Sequence, residues 1–326
     1  MKVLVTGANG LLGSNVIRAL LQKGYEPKAM VRPKANIKGF EGLNVEIFYG
    51  QLTNPDHIEE AMMDCQAVIH TAANTNMNGL TADFYAFNTN STRALVETAV
   101  RQKIHRFIFV STANAFGYGT KKSPGHEALP PSPVFMRTGY AKSKVNAQKI
   151  VLEAVQQQKL NAIIVNPSFI IGPYDAKPSS GRILLMANQW FAFAPPGGKN
   201  FVSAKDAATA IVNGLINGSA GEAFILAGEN LSYRQFFKKC QQLNQLPKVI
   251  ITLPKPLLKL GARFGVAWRS ISGKAIELTP ANAKILCVKN YYHASKAQKE
   301  LMMPQSGIDQ AIKEALAWFR TQNMIS

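Results

Sequence analysis

The sequence predicts an α/β protein: a doubly wound parallel sheet followed by a smaller C-terminal cap. Three observations carry that expectation. Short β-branched runs alternate with longer helical patterns through the first half of the chain, a glycine-rich turn (TGANGLLG) separates the first strand from the first helix, and the alternation gives way to turn-rich sequence after Pro167.

The elements follow in order. KVLVT at 2–6 reads as a strand, Leu11 to Gln22 as a helix and PKAMV at 27–31 as the next strand. VEIFYG at 45–50, AVIHTAA at 67–73, RFIFVST at 106–112 and NAIIVNP at 161–167 continue the strands, with helices between them at 55–63, 83–101 and 139–157. Sequential strands joined by crossovers build a Rossmann-type sheet. Beyond it, GPYDAKPSSG at 172–181 and PPGG at 195–198 read as turns, 201–215 as a short strand or turn feeding a helix, and AFILAG at 223–228 as a strand. The expected division is a dinucleotide-binding domain over 1–167, to which segments near 201–228 return, and a cap made mainly from 168–326.

Composition narrows the class. The chain has 326 residues, long enough for a substantial core. Cys65, Cys240 and Cys287 are too few and too scattered for a disulfide framework or a metal site, which points to a reducing compartment. No run of about 18 apolar residues and no leader pattern is visible, so a soluble cytoplasmic protein is expected. Lys and Arg number 37 against 19 Asp and Glu, a formal net charge of +18. A field of that sign attracts polyanions, anionic membranes or phosphorylated ligands. The charges form no block of five or six, and no nucleic-acid-binding signature accompanies them, so a solvated basic surface is the reading and nucleic acid is not expected.

The glycine turn carries the first chemistry. Gly7, Gly10 and Gly13 suit a sharp turn, a close approach of backbone to a pyrophosphate and tight packing of helix on strand, while the helix N-terminus offers free N–H groups to phosphate. Asn9, Leu11 and Leu12 complete this loop. Many dinucleotide folds place an acidic residue at the end of the second strand to hold the NAD ribose; here Arg32 stands there, followed by Lys34. Two cations suit a 2′-phosphate, so NADP(H) is expected in preference to NAD(H).

Tyr140 and Lys144 lie four residues apart in a helical segment and therefore share a face. A tyrosine beside a positive charge moves toward a useful acid/base range. Ser111 and Thr112 end the strand RFIFVST, and the C-terminal ends of such strands are where doubly wound sheets hold ligands.

On TGANGLLG, HTAA at 70–73, FVSTANAFG at 109–117, YAKSK at 140–144, NPSFIIGP at 166–173, FVSAKD at 201–206 and YYHASKAQKEL at 291–301, the chain resembles the extended short-chain dehydrogenase/reductases over nearly its whole length. Within that family it is most similar to the branch of dihydroflavonol 4-reductase-like and 3β-hydroxysteroid dehydrogenase-like enzymes, which includes hopanoid-associated sugar epimerases. The resemblance implies that Tyr140 exchanges the substrate proton, that Lys144 binds the nicotinamide ribose and depresses the tyrosine pKa, and that Thr112 hydrogen-bonds the reacting oxygen, with Ser111 beside it. It places Asn88, Ala72 and Ala73 along the cofactor, Pro167 and Ser168 near the nicotinamide, and Gln51 with Leu52 near the adenine, where the family often has Asp in place of Gln51. Phe116 replaces a frequent Tyr. His70 reads as a satisfied core histidine.

The leading expectation is a reductase acting on a ketone or aldehyde of a largely apolar substrate. The alternative is a nucleotide-sugar epimerase or dehydratase, whose usual phosphate-holding arginine is replaced here by Lys199-Asn200. A scaffold that has lost catalysis is disfavoured by intact Thr112, Tyr140 and Lys144. Met77, Phe84, Phe116, Phe169 and Trp190 are candidates to line the pocket, though core packing is the commoner role for each. The resemblance also implies a homodimer, since members of the family often dimerise by pairing the helices that here span 83–101 and 139–157. The basic amphipathic stretch 254–270 reads first as a lid over the pocket and second as a peripheral membrane contact.

Overall fold

A computed structural model describes residues 1–75, 85–245, 249–272 and 278–325, with side chains for all of these except 86 and 266–272. In chain order the first half runs β1 (Lys2–Thr6), α1 (Leu11–Gln22), β2 (Glu26–Val31), β3 (Glu46–Tyr49), α2 (Pro55–Met62), β4 (Ala67–His70), a π-helical turn (Tyr85–Thr89), α3 (Asn90–Arg101), β5 (Arg106–Val110), α4 (Gly139–Gln158) and β6 (Ala162–Pro167). The second half runs β7 (Phe169–Ile171), α5 (Arg182–Ala187), β8 (Phe191–Ala194), β9 (Gly198–Ser203), α6 (Ala204–Asn213), β10 (Ala223–Leu226), β11 (Glu229–Ser232), α7 (Tyr233–Leu243), β12 (Val249–Thr252), α8 (Lys255–Ser272), α9 (Pro280–Leu286), β13 (Lys289–Asn290), α10 (Ser295–Glu300) and α11 (Ile308–Thr321).

Seven parallel strands form the main sheet in the order β3-β2-β1-β4-β5-β6-β10. Strand order reverses between β1 and β4, and the crevice at such a reversal is where this architecture takes its ligand. The inner strands are buried on both faces, which is why RFIFV and AIIVNP read as nearly unbroken apolar runs. Alternate residues serve opposite cores. Val3 and Val5 pack with Val16 and Ile17 of α1 and Ile211 of α6, whereas Leu4 packs with Leu95 of α3 and Val151 of α4.

Among the strands that end earlier than their sequence pattern suggests, β4 and β5 do so at the crevice. β4 stops at His70 because the chain must pass under the glycine turn: the Thr71 hydroxyl donates to the Thr6 carbonyl at 2.7 Å, and Ala72 lies against Gly7. β5 stops at Val110, and Thr112 caps a short 3-10 turn (Ala113–Ala115) by accepting the Asn114 N–H at 3.3 Å. The helix expected from residue 83 begins, within the described residues, as the π-helical turn before α3.

A second sheet joins β11, β9 and β13, with β7 also paired to β9, and β12 pairs with β8. Its core is aromatic. Phe201 stacks on Phe236 at 4.0 Å between ring centroids, among Phe237, Leu316 and Phe319.

Candidate active site

The glycine turn is held where glycine is required. Gly7 has φ +69°, and a Cβ there would lie 2.7 Å from Ala72 Cα; a Cβ on Gly13 would lie 2.2 Å from the Gly7 carbonyl oxygen. Gly10 is less constrained, with 3.4 Å to that same oxygen, and it forms the N-cap of α1. No side chain caps α1 and its first turn carries no acidic residue, so its N–H groups remain available to an anion. Asn9 donates to the Asn36 carbonyl at 3.3 Å, tying the turn to the loop after β2. Leu11 and Leu12 are buried beneath it.

That loop exposes Arg32 and Lys34, the latter at φ +61°. Neither is paired with a carboxylate among the described residues. Past the end of β3, Gln51 is exposed, with its N–H directed to His57 Nδ1 at 3.2 Å, while Leu52 is buried. Ala72 is buried and Ala73 partly so. These residues follow the C-terminal ends of β1 to β4, and a bare helix N-terminus beside a turn without room for Cβ atoms fits the pyrophosphate of a dinucleotide.

Thr138 sets the catalytic candidates in place. Its hydroxyl accepts the Ala141 N–H at 3.3 Å and starts α4 at Gly139, so Tyr140 falls in the first turn and Lys144 one turn later. The Thr112 hydroxyl lies close enough to the Tyr140 phenol to favour its ionised form. Burial nevertheless pushes Tyr140 up to about 12, against the smaller opposing effect of Thr112. The expected depression by Lys144 is not what governs it. Lys144 is 2 % exposed, donates to the Val110 carbonyl, lies 4.3 Å from the Phe109 ring centroid and is itself pushed down to about 7 by burial, which weakens it as a source of positive charge.

Ser111 is buried, and its hydroxyl has no hydrogen-bond partner among the described residues. Asn88 bridges the strand exit to α4: its amide accepts the Asn74 N–H at 2.6 Å and donates to Ser143 Oγ at 3.0 Å, and Ser143 donates to the Tyr140 carbonyl at 2.8 Å. His70 is fully buried, with one ring nitrogen 2.7 Å from Thr6 Oγ1 and the other 3.0 Å from Thr92 Oγ1. Burial, aided by Lys144, holds its pKa well below the ordinary range. Pro167 is buried at the end of β6, and Ser168 donates to Asn200 Oδ1 at 2.6 Å.

The cap candidates divide. Phe116 packs in the main core and Phe169 meets Phe201 edge to face at 5.7 Å, whereas Trp190 is 74 % exposed. Met77 and Phe84 lie outside the described residues. Lys199 lies 4.9 Å from the Phe169 ring centroid, and burial pushes it down to about 8. Its neighbour Asn200 serves the fold, donating to the Gly228 carbonyl at 3.0 Å and to Asn230 Oδ1 at 2.8 Å.

Sequence reading missed Asn166 and Gln148. Buried Asn166 donates to the Thr112 carbonyl at 3.0 Å and to Gln148 Oε1 at 3.2 Å, so it braces the residue that faces Tyr140. The signal was present in NPSF and one turn past Lys144 on α4, but amides carry no periodicity that marks them.

Residues 3–227 match the sequence model of the NAD dependent epimerase/dehydratase family. Sterol demethylase protein B of Methylococcus capsulatus is 29% identical over 331 residues, covering 100% of both chains. A putative dihydroflavonol 4-reductase of Synechocystis is 30% identical, covering 98% of this chain and 95% of the relative. Among solved structures, the protein named gox2253 is 29% identical with a TM-score of 0.84, covering 99% of each chain.

Proposed function

The chain is an enzyme of the NAD-dependent epimerase/dehydratase family, of the extended short-chain dehydrogenase/reductase type, and on that premise we propose that it is an NADP(H)-dependent reductase of ketones or aldehydes on small, largely apolar molecules. The observation that carries this reading is that Tyr140, in the first turn of α4, is brought beside Thr112 at the C-terminal end of β5. Two hydroxyls held side by side can meet one carbonyl oxygen, one giving the proton and the other a hydrogen bond.

The glycine turn with Asn9, Leu11 and Leu12 holds the pyrophosphate in this reading, Arg32 and Lys34 take the 2′-phosphate, and Gln51 and Leu52 meet the adenine. Ala72, Ala73, Asn88, Ser111, Pro167 and Ser168 line the remainder, and Lys144 binds the nicotinamide ribose. A nicotinamide cofactor bound there supplies a hydride. Tyr140 gives its proton to the substrate oxygen as the carbonyl becomes an alcohol. A phenol pushed up to about 12 stays protonated at neutral pH, the form that reduction needs. Thr112 steadies the oxygen, and Asn166 holds Thr112 by its carbonyl.

The relative named dihydroflavonol 4-reductase supports a carbonyl substrate. Lys199 is the observation that keeps an epimerase or dehydratase reaction as the second reading, since a cation at this place in the fold can serve an anionic substrate group. A homodimer through α3 and α4 and a cytoplasmic location belong to the same proposal, the latter agreeing with three free cysteines. Screening carbonyl compounds for stoichiometric NADPH consumption tests the reaction, and loss of turnover in Tyr140→Phe tests the residue.

A further inference from the structure

The cap carries an apolar surface that the catalytic reading leaves unused. In the pairing of β8 with β12, Phe191 stands opposite Val249 and Phe193 opposite Ile251, and all four are exposed. Phe191 is 61 % exposed, and Trp190 immediately precedes it. β12 leads through Leu253 and Pro254 into α8, which has three distinct stripes. Leu258 and Ala262 are buried and pack with Ala283 of α9. Leu257, Leu260 and the 67 % exposed Phe264, spaced by three and four residues, form a second stripe open to solvent. Lys255, Lys259 and Arg263 form a third, also exposed. The stripe that a lid would press onto a pocket therefore faces outward.

Charge is segregated in the same region. From Asn230 to Ile276 the sequence contains no Asp or Glu, while Arg234, Lys238, Lys239, Lys248, Lys255, Lys259, Arg263, Arg269 and Lys274 are all basic. The net charge of +18 is thus not spread evenly, and its acid-free stretch coincides with the exposed apolar side chains. A second protein copy would bring the same positive charge to this face and be repelled by it. Aromatic and aliphatic side chains flanked by long basic ones suit a different occupant, because the rings enter the boundary between headgroups and acyl chains while ammonium and guanidinium groups reach lipid phosphates.

We infer that this face of the cap, formed by β8, β12 and the outer stripes of α8, docks the enzyme onto a bilayer surface containing anionic lipid. The attachment is peripheral: no helix among the described residues is long and apolar enough to cross a membrane. The inference stands on the surface alone and holds whichever reaction the crevice performs.

Co-sedimentation of the full chain with vesicles tests it. The protein is expected to pellet with vesicles of phosphatidylcholine and phosphatidylglycerol, to pellet less with phosphatidylcholine alone, and to be partly released by salt. Leu260→Ser with Phe264→Ser is expected to lower partitioning about tenfold, since binding scales with inserted apolar area. Lys259→Gln with Arg263→Gln is expected to weaken binding to anionic vesicles only. All four positions are exposed, so melting curves should match the parent chain. Protein that stays in the supernatant with anionic vesicles at low salt, or a Leu260→Ser, Phe264→Ser variant that pellets like the parent, overturns the proposal. So does light scattering that shows a dimer which only this apolar pair dissolves, since the face would then be covered by a second copy.

Discussion

The hydroxyl of Thr112 acts on the phenol of Tyr140 although one residue follows β5 and the other sits in the first turn of α4. The Thr138 cap fixes the helix start on one side, and Asn166 fixes the Thr112 carbonyl on the other. Tyr140→Phe is therefore expected to lower turnover about a hundredfold or more, the usual scale of a lost general acid, with cofactor affinity nearly unchanged. Steady-state rates on a verified substrate beside a cofactor titration check this. Near-parental turnover would remove Tyr140 from the proton transfer.

Arg32 and Lys34 are exposed just past β2 and unpaired with any carboxylate among the described residues. NADP(H) is expected to bind more tightly than NAD(H), and Arg32→Ala to erode the difference by about tenfold or more, as for a lost charge-assisted contact to phosphate. Calorimetric titration with both cofactors decides it, and equal affinities in the parent chain contradict the assignment.

Lys144 gives a pH signature. Burial pushes its ammonium down to about 7 from an ordinary 10.5, so between those values the unfolded chain binds a proton that the folded chain lacks. Its contribution to stability therefore rises with pH across that window, by at most about 1.4 kcal/mol per pH unit. Lys144→Met keeps the apolar stem and removes the titration. Urea midpoints at about pH 7 and about pH 9 should rise less in the variant than in the parent. An identical rise in both proteins would mean that Lys144 stays charged where it is buried.

Gly13→Ala tests the turn. The added carbon would lie 2.2 Å from the Gly7 carbonyl oxygen and 2.7 Å from Ala8 Cα, both backbone atoms. A cost of about 1–3 kcal/mol is expected, the range for overpacking, with weaker cofactor binding. Gly10→Ala, with only a 3.4 Å approach, should be milder in a thermal melt, and the reverse ranking would contradict the geometry of the turn.

Burial on both faces made the main sheet legible from sequence, because it forces apolar runs such as those of β5 and β6. Tyr140 and Lys144 were legible because four residues span one helical turn. The early ends of β4 and β5 were not, since Thr71 and Thr112 end them through hydroxyl hydrogen bonds that leave no trace in hydrophobic periodicity. The bracing of Thr112 by Asn166 joins residues 54 apart in the chain. The exposure of Trp190 was not legible either, since it depends on how β8 pairs with β12, which no local pattern encodes. The direction of the Tyr140 shift was also hidden, for spacing shows which residues meet and not how deeply they are buried.

In the proposed reduction Tyr140, beside Thr112, gives up its proton while NADPH is consumed. The most direct measurement follows nicotinamide absorbance and product together, with apolar ketones and aldehydes in one series and nucleotide sugars in the other. NADPH oxidation equal to alcohol formed is expected in the first series, abolished in Tyr140→Phe, with no turnover in the second. Isomerisation of a nucleotide sugar without net change in absorbance, with the carbonyl series silent, would contradict it and establish the epimerase reaction in its place.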